Sequence, residues 1–261
     1  MQNNPLMTKF KNGEKVVGAF FKTGSDASID ILAALGFDFI VIDSEHHPYD
    51  LNDINLFIKA AESKGIVPIV RIVDISRNYI LKPLDMGAMG LFIPYVNTAD
   101  DVRQAVLHCK YPPIGDRGLG YCHKTSFALD PIVSQSPASA YLEWANENTL
   151  LFPQCETLAA VENIEEIVQV PGVAGIFIGP ADLSVSMGIP KQYDHPDFVK
   201  AITHVKEVCN KHGKIIYDIA LNPATALSKF EEGYDGVLAT DTGFLVAGAK
   251  AFINGIKEGM K

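Results

Sequence analysis

Two short apolar runs, LLFPQ (150–154) and VAGIFIG (173–179), each break abruptly into a carboxylate, Glu156 and Asp182. Between them lies a segment of helical character closed by Pro171-Gly172, so the unit reads strand–helix–strand. In a parallel α/β protein the two strands run the same way, and both acids fall on one rim. Adjacent carboxylates repel unless a proton or a cation lies between them. Glu156 and Asp182 therefore predict a divalent-metal site. Two carboxylates leave most of a six-coordinate shell to water and substrate oxygens, which suits Mg²⁺ or Mn²⁺. Zinc favours His and Cys, and Cys155 falls on the opposite pleat from Gln154 and Glu156. Taken singly, either acid also reads as a first-turn helix carboxylate serving the macrodipole. The metal reading is favoured because both follow strands of one unit.

Other chemistry-bearing residues gather at the same kind of position. After FDFIVID come Asp43, Glu45, His46 and His47, and VPIVRIV carries Arg71. A loop histidine is commonly just solvated; beside a metal-held carbonyl, His46 or His47 becomes the proton carrier suited to neutral pH. Asp85, before Gly87, is a candidate for the carboxylate that orients the histidine and raises its basicity. Arg71 otherwise reads as a rim ion pair, but inside a ring of acids it suits an anionic oxygen such as an enolate. A Schiff-base route needs a lysine desolvated inside the sheet. Lys214 begins a strand rather than ending one, and Lys22 has no evident partner to lower its pKa.

These residues need a frame that brings strand ends together. Strands are expected at 16–21, 37–43, 67–73, 89–96, 150–154, 173–179, 214–220 and 234–241, each followed by a helical segment. Eight such units in 261 residues favour a (β/α)₈ TIM barrel, whose active site lies at the strands' carboxyl ends, over an open doubly wound sheet. The whole chain, 1–261, reads as a single barrel domain after a polar start. It has a long loop at about 111–137, expected to be functional, and a closing helix at about 243–259. GDRGLG follows Pro112-Pro113 rather than a strand and is not a dinucleotide loop. DIALNP and ATDTG offer weak phosphate cradles, which argues against a phosphosugar isomerase. A net charge of −9 and a pI near 5.2 argue against nucleic acid or an anionic membrane as partner. Cys109, Cys122, Cys155 and Cys209 form no CxxC pair and fit a reducing, cytoplasmic setting, and VVGAFF is too short for a signal or a span.

Several of these motifs occur in one order, from GFDFIVIDSEHHPYD through VPIVRI, LDMGAMGLFIPYV, KYPPIGDRGLG, PQCET and IFIGPADLS to HPD. In this the chain resembles the metal-dependent class II pyruvate aldolases, which include 4-hydroxy-2-oxoheptanedioate aldolase and 2-dehydro-3-deoxyglucarate aldolase, with macrophomate synthase as a relative. The resemblance implies a barrel of the phosphoenolpyruvate/pyruvate type. It also implies a lyase that reversibly cleaves a 4-hydroxy-2-oxo acid into pyruvate and an aldehyde, with Mg²⁺, Mn²⁺ or Co²⁺ as cofactor. It implies Glu156 and Asp182 as metal ligands, His46 as general base, Asp85 as its partner and Arg71 on the enolate oxygen. Gln154 and the backbone at Ala181 and Asp182 are implied to contact the substrate, the latter because helix amino ends suit a carboxylate. A homo-oligomer, a hexamer that exchanges the closing helix, is implied as well; apolar patterning alone reads that helix as ordinary packing.

The sequence departs from that pattern at His47, at IVDISRNYILKPLD after Arg71, and at YCHKTSF after Gly120, where arginines are expected. These changes leave the metal and enolate chemistry and bear on the aldehyde, whose choice is expected to rest with the loops around His47, Asp74 and His123. Two other readings stay open: the same enolate attacking a ketone or a CoA thioester, and a non-catalytic barrel that binds small acids.

Overall fold

The structure, a computed structural model, describes residues 3–260; the first two residues and the last of the expected 1–261 domain lie outside it. Eight parallel strands close in sequence order, the last pairing with the first. They are β1 (Val16–Phe21), β2 (Phe39–Asp43), β3 (Val67–Arg71), β4 (Gly90–Ile93), β5 (Leu150–Cys155), β6 (Gly175–Ile178), β7 (Ile215–Ile219) and β8 (Gly236–Thr240). The helices are α1 (Pro5–Lys11), α2 (Asp26–Ala34), α3 (Leu51–Lys64), α4 (Arg77–Met86), α5 (Ala99–Cys109), α6 (Pro131–Ser134), α7 (Ala138–Asn148), α8 (Leu158–Glu162), α9 (Ile164–Gln169), α10 (Pro180–Ser186), α11 (Pro196–Lys211), α12 (Pro223–Glu231) and α13 (Asp241–Gly259). The expected barrel is thus present, with several strands shorter than their apolar runs. No helix among the described residues is long and apolar enough to cross a membrane.

Alternation along each strand sorts its side chains into two cores. One alternate set, Phe39, Val41, Val67, Ile69, Phe92, Phe152, Phe177 and Tyr217, fills the barrel interior. The alternate residues of the same strands, Ile40, Ile42, Val70, Leu91, Leu151 and Ile178, pack outward under the helices. The interior is aromatic: Phe92 stacks on Phe177 at 4.9 Å, and Tyr217 meets Phe152 edge-on at 4.9 Å. Rings of this size need small neighbours. A Cβ on Gly18 would lie 2.3 Å from Cζ of Phe39, and one on Gly236 would lie 2.1 Å from Cε1 of Tyr217. Gly18→Ala is therefore expected to cost about 1–3 kcal/mol by overpacking. In a melting experiment that is a fall of roughly 3–10 °C in Tm, with activity per folded molecule kept.

The stretch read as a polar start is a helix. Asn4 caps α1 by accepting the Leu6 N–H at 3.1 Å, and Pro5 takes the first helical position. Leu6, fully buried, plugs the amino-terminal end of the barrel interior with Met7 and Phe10 against it. Asn4 itself donates to Asn148 Oδ1 at 2.7 Å and to the Met89 carbonyl at 3.1 Å, which ties the plug to β4 and β5. Seven residues with three apolar anchors are too short for helical periodicity to register.

Candidate active site

On β1, β2, β3 and β5 the interior series continues to the carboxyl end and there turns polar, at Lys22, Asp43, Arg71 and Gln154. Val67, Ile69 and Arg71 lie on one face of β3, and Phe39, Val41 and Asp43 on one face of β2. The register sets Asp43 directly beside Arg71. Arg71 donates through Nε to Asp43 Oδ1 at 2.9 Å and through Nη2 to Oδ2 at 2.7 Å, a bidentate pair with Asp43 wholly buried. Burial by itself would raise the Asp43 carboxyl. The hydrogen bonds and charge of Arg71, with Lys22 adding to them, overcome it and hold the group down at about 2. The guanidinium also sits 4.6 Å from the centre of the Phe20 ring, so its plane is fixed from below as well as from the side. His47 Nδ1 lies 3.2 Å and Lys22 Nζ 3.6 Å from Asp43 Oδ2. Lys22 thus stands beside a carboxylate, which favours an ammonium and gives no support to a Schiff-base route.

Arg71 reaches a second acid: Nη1 stands 3.2 Å from Glu45 Oε2. That oxygen is buried and makes no hydrogen bond. Burial raises the Glu45 carboxyl against the opposing charge of Arg71, and Asp43 and Asp182 raise it further. His46 follows on the turn with its side chain 57% exposed, Nε2 3.9 Å from Glu45 Oε2. Its ring is free to meet a substrate.

Across the mouth, β5 delivers Gln154 and Glu156. Glu156 Oε1 accepts the Tyr95 N–H at 2.6 Å, and Oε2 accepts Gln154 Nε2 at 2.6 Å. Tyr95 holds φ at 54°, in the left-handed region; the backbone is bent after β4 to aim that N–H. Gly179, after β6, is required by close approach, since a Cβ there would meet Glu156 Oε2 at 2.9 Å. Burial raises the Glu156 carboxyl to about 7; Glu45 and Asp182 add to the rise, and the Tyr95 N–H and Gln154 oppose it. Asp182 stands exposed in the first turn of α10. Cys155 points outward into the helical layer, as expected.

The donor set fits a hard divalent cation. Three carboxylates, Glu45, Glu156 and Asp182, act on one another electrostatically. The buried Gln154 Oε1 has no hydrogen-bond partner. Among the described residues no group of three or more His, Cys, Asp or Glu side chains closes around one point. Two protein carboxylates with open positions is the pattern expected of Mg²⁺ or Mn²⁺ and not of zinc.

Asp85 does not join this set within the chain. Helices of a β/α barrel run antiparallel to the strands, so the last turn of α4 lies at the strands' amino ends, opposite His46. There Asp85 Oδ1 accepts from Arg117 Nη2 at 2.8 Å. The expected His46–Asp85 contact is therefore absent between these residues of one chain. Within the chain His123 also lies at that end: its Nε2 pairs with Glu62 Oε2 at 2.7 Å, in the last turn of α3. The 111–137 segment touches α4 through Arg117 and Lys124 and α7 through Tyr111. Tyr95 was missed because a backbone donor leaves no mark on residue type. Asp43 and Glu45 were visible on the rim without a role, and the Asp43–Arg71 register is the signal that assigns one.

A barrel with this rim is the kind of enzyme that binds a small oxo acid and handles an enolate. The chain belongs to the HpcH/HpaI aldolase/citrate lyase family, whose model matches residues 17–246, and it is a carbon–carbon lyase. It is 34% identical over 224 residues to a 2-keto-3-deoxy-L-rhamnonate aldolase of Klebsiella pneumoniae subsp. pneumoniae, covering 86% of this chain and 82% of that protein. Among solved structures it is similar to citrate synthase SbnG, with 31% identity, a TM-score of 0.86 and 97% of each chain covered. It is also similar to an HpcH/HpaI aldolase from Desulfitobacterium hafniense DCB-2, with 28% identity, a TM-score of 0.88 and 98% of each chain covered.

Proposed function

We propose that the enzyme is a divalent-metal-dependent pyruvate aldolase, which reversibly cleaves a 4-hydroxy-2-oxo acid into pyruvate and an aldehyde. The observation that carries this reading is the Asp43-locked Arg71, which stands 3.2 Å from Glu45, an acid whose charge acts in turn on Glu156. Glu156 and Asp182 would hold the metal. A bound Mg²⁺, Mn²⁺ or Co²⁺ would supply Lewis acidity toward the 2-oxo group. The first-turn N–H groups at Ala181 and Asp182, which no helical carbonyl satisfies, suit the substrate carboxylate. Gln154 has its free Oε1 to offer beside them.

The protein's own groups then divide the proton and charge work. His46 takes the proton of the 4-hydroxyl as the C3–C4 bond breaks, and the aldehyde leaves. The bond's electron pair passes to the pyruvate fragment, and the guanidinium of Arg71 stabilises the enolate oxygen. The proton returns from His46 to C3, giving pyruvate. Asp43 positions Arg71, and the side chain of Asp85 serves Arg117 within its own chain.

The test is methyl deuteration of pyruvate in D₂O with Mg²⁺, followed by NMR. Exchange that depends on His46 and Glu156 is expected, and a protein that binds pyruvate without exchange would sink the reading in favour of a binding barrel. A panel of aldehydes, with lactaldehyde and other hydroxyaldehydes first, then defines the acceptor. The 31% identity to a citrate synthase over 97% of the chain favours including oxaloacetate, which would join the same enolate as a ketone acceptor.

The reading extends to assembly and location. α13 buries only Asp241, while Leu245, Phe252 and Ile253 are 66%, 70% and 47% exposed. Such a face suits a second copy of the chain, so a homo-oligomer is expected in sedimentation, with a hexamer the stoichiometry to look for. Four free cysteines suit the reducing cytoplasm.

A further inference from the structure

Far from the barrel mouth, Lys124 is a buried cation that no assigned chemistry uses. Its side chain is 9% exposed. The ammonium makes one hydrogen bond, a 3.5 Å contact to the Gly87 carbonyl, and no ion pair among the described residues. Glu62, the acid whose charge acts on it most, gives Oε2 to His123 at 2.7 Å. The other Glu62 oxygen lies against Gly87, where an added Cβ would meet it at 2.7 Å. Arg117 is committed to Asp85. Two of the ammonium's three N–H groups are thus left without an acceptor, an expensive arrangement for a buried charge.

The same ammonium lines a cavity of about 270 Å³ at the amino end of β3. Ile66, Pro68, Met89 and Pro5 make its walls apolar, and the Trp144 ring stands with its centre 5.6 Å from Nζ. Glu62 and His123, paired with each other, and Ser126 complete the polar lining. A pocket with one under-coordinated cation, an acid already engaged and a largely apolar remainder suits a monoanion that carries a short hydrocarbon body. A multiply charged anion would leave most of its charge unpaired there and would face Glu62. We propose that this cavity is a second ligand site, which takes the carboxylate of a small aliphatic acid against Lys124 with its carbon chain on Trp144. Arg71 tops the same strand, five residues long and so roughly 13 Å from end to end. The two sites do not share residues.

Trp144 is the chain's one tryptophan, so its emission reports on this cavity directly. Butyrate, which lacks the 2-oxo group, is the probe, titrated at constant ionic strength with chloride as the control anion. A saturable change in emission is expected with butyrate and not with chloride, unaltered in Glu156→Gln. Lys124→Met is expected to lose the response and Lys124→Arg to keep it, with circular dichroism showing both folded. A silent wild type, an equal response to chloride, or a response that survives in Lys124→Met would each overturn the proposal.

Should Lys124→Met fail to fold, the pH series of the wild type decides. The charged or titratable groups around Lys124 are Glu62 from α3, Arg117, Cys122 and His123 from its own segment, and Asp85 from α4, paired with Arg117. Burial holds Lys124 down at about 8. Its charge is lost as pH rises through that value, so butyrate is expected to bind about tenfold more weakly at pH 9 than at pH 7. An affinity that stays flat across that range counts against the site.

Discussion

Glu156→Gln is expected to lower pyruvate exchange and aldol cleavage by at least roughly 1000-fold, the scale on which removal of a metal ligand or main electrostatic group acts. It is expected at the same time to make the metal-free protein more stable at alkaline pH. The sign follows from the carboxyl's position near 7, raised from 4.5 by burial. The folded state binds this proton more tightly than the unfolded chain does. The group's contribution to stability is full below about 4.5 and is lost as pH rises through about 7. Glutamine cannot ionise, so wild type and variant should melt together at pH 5, with the variant higher at pH 8. The swap is accommodated locally, because Gln154 can turn its amide and accept where it now donates. Added Mg²⁺ should raise the Tm of the wild type at pH 8 and leave the variant unmoved. A wild type that melts higher than Glu156→Gln at pH 8 without metal would remove the buried-acid explanation. Equal catalysis by the two would remove the metal assignment.

Arg71→Ala is expected to depress kcat/KM by about 100- to 1000-fold, the scale seen when one preorganised donor to a developing oxyanion is lost. Arg71→Lys should rescue little of this. One ammonium cannot hold both Asp43 oxygens at 2.9 and 2.7 Å and also face Glu45, as the planar guanidinium does. Asp43→Asn separates positioning from charge. The guanidinium keeps its charge but loses its bidentate partner, so kcat should fall while metal affinity holds. The single-residue changes also expose a buried charge: removing one partner of such a pair costs about 3–5 kcal/mol. Melting curves must therefore accompany the kinetics. Methyl exchange at full wild-type rate in folded Arg71→Ala would end the enolate assignment.

Much of this molecule is legible from residue order alone. The eight apolar runs and their spacing determine the barrel, because a strand buried on both faces has little choice but a run of Val, Ile, Leu and Phe. The carboxyl ends of those runs determine the rim, so Arg71, Gln154, Glu156, Asp182 and His46 follow without coordinates. The α1 plug is the exception, for seven residues carry too little periodic signal.

Three matters were decided only by the tertiary structure. Which rim residues touch depends on register: Asp43 and Arg71 are 28 positions apart and become neighbours because β2 and β3 pair one to one. Which loop residues reach the mouth depends on helix direction. Asp85 and His123 look like rim residues by type, yet the antiparallel return of α4 carries Asp85 to the opposite end, and the loop holds His123 there against Glu62 at the end of α3. Backbone donors such as the Tyr95 N–H are invisible in sequence, since every residue but proline has one and only the fold says where it points. Residue type sets what chemistry is possible at Glu156; the packing of Tyr95, Gln154 and Gly179 around it sets its charge.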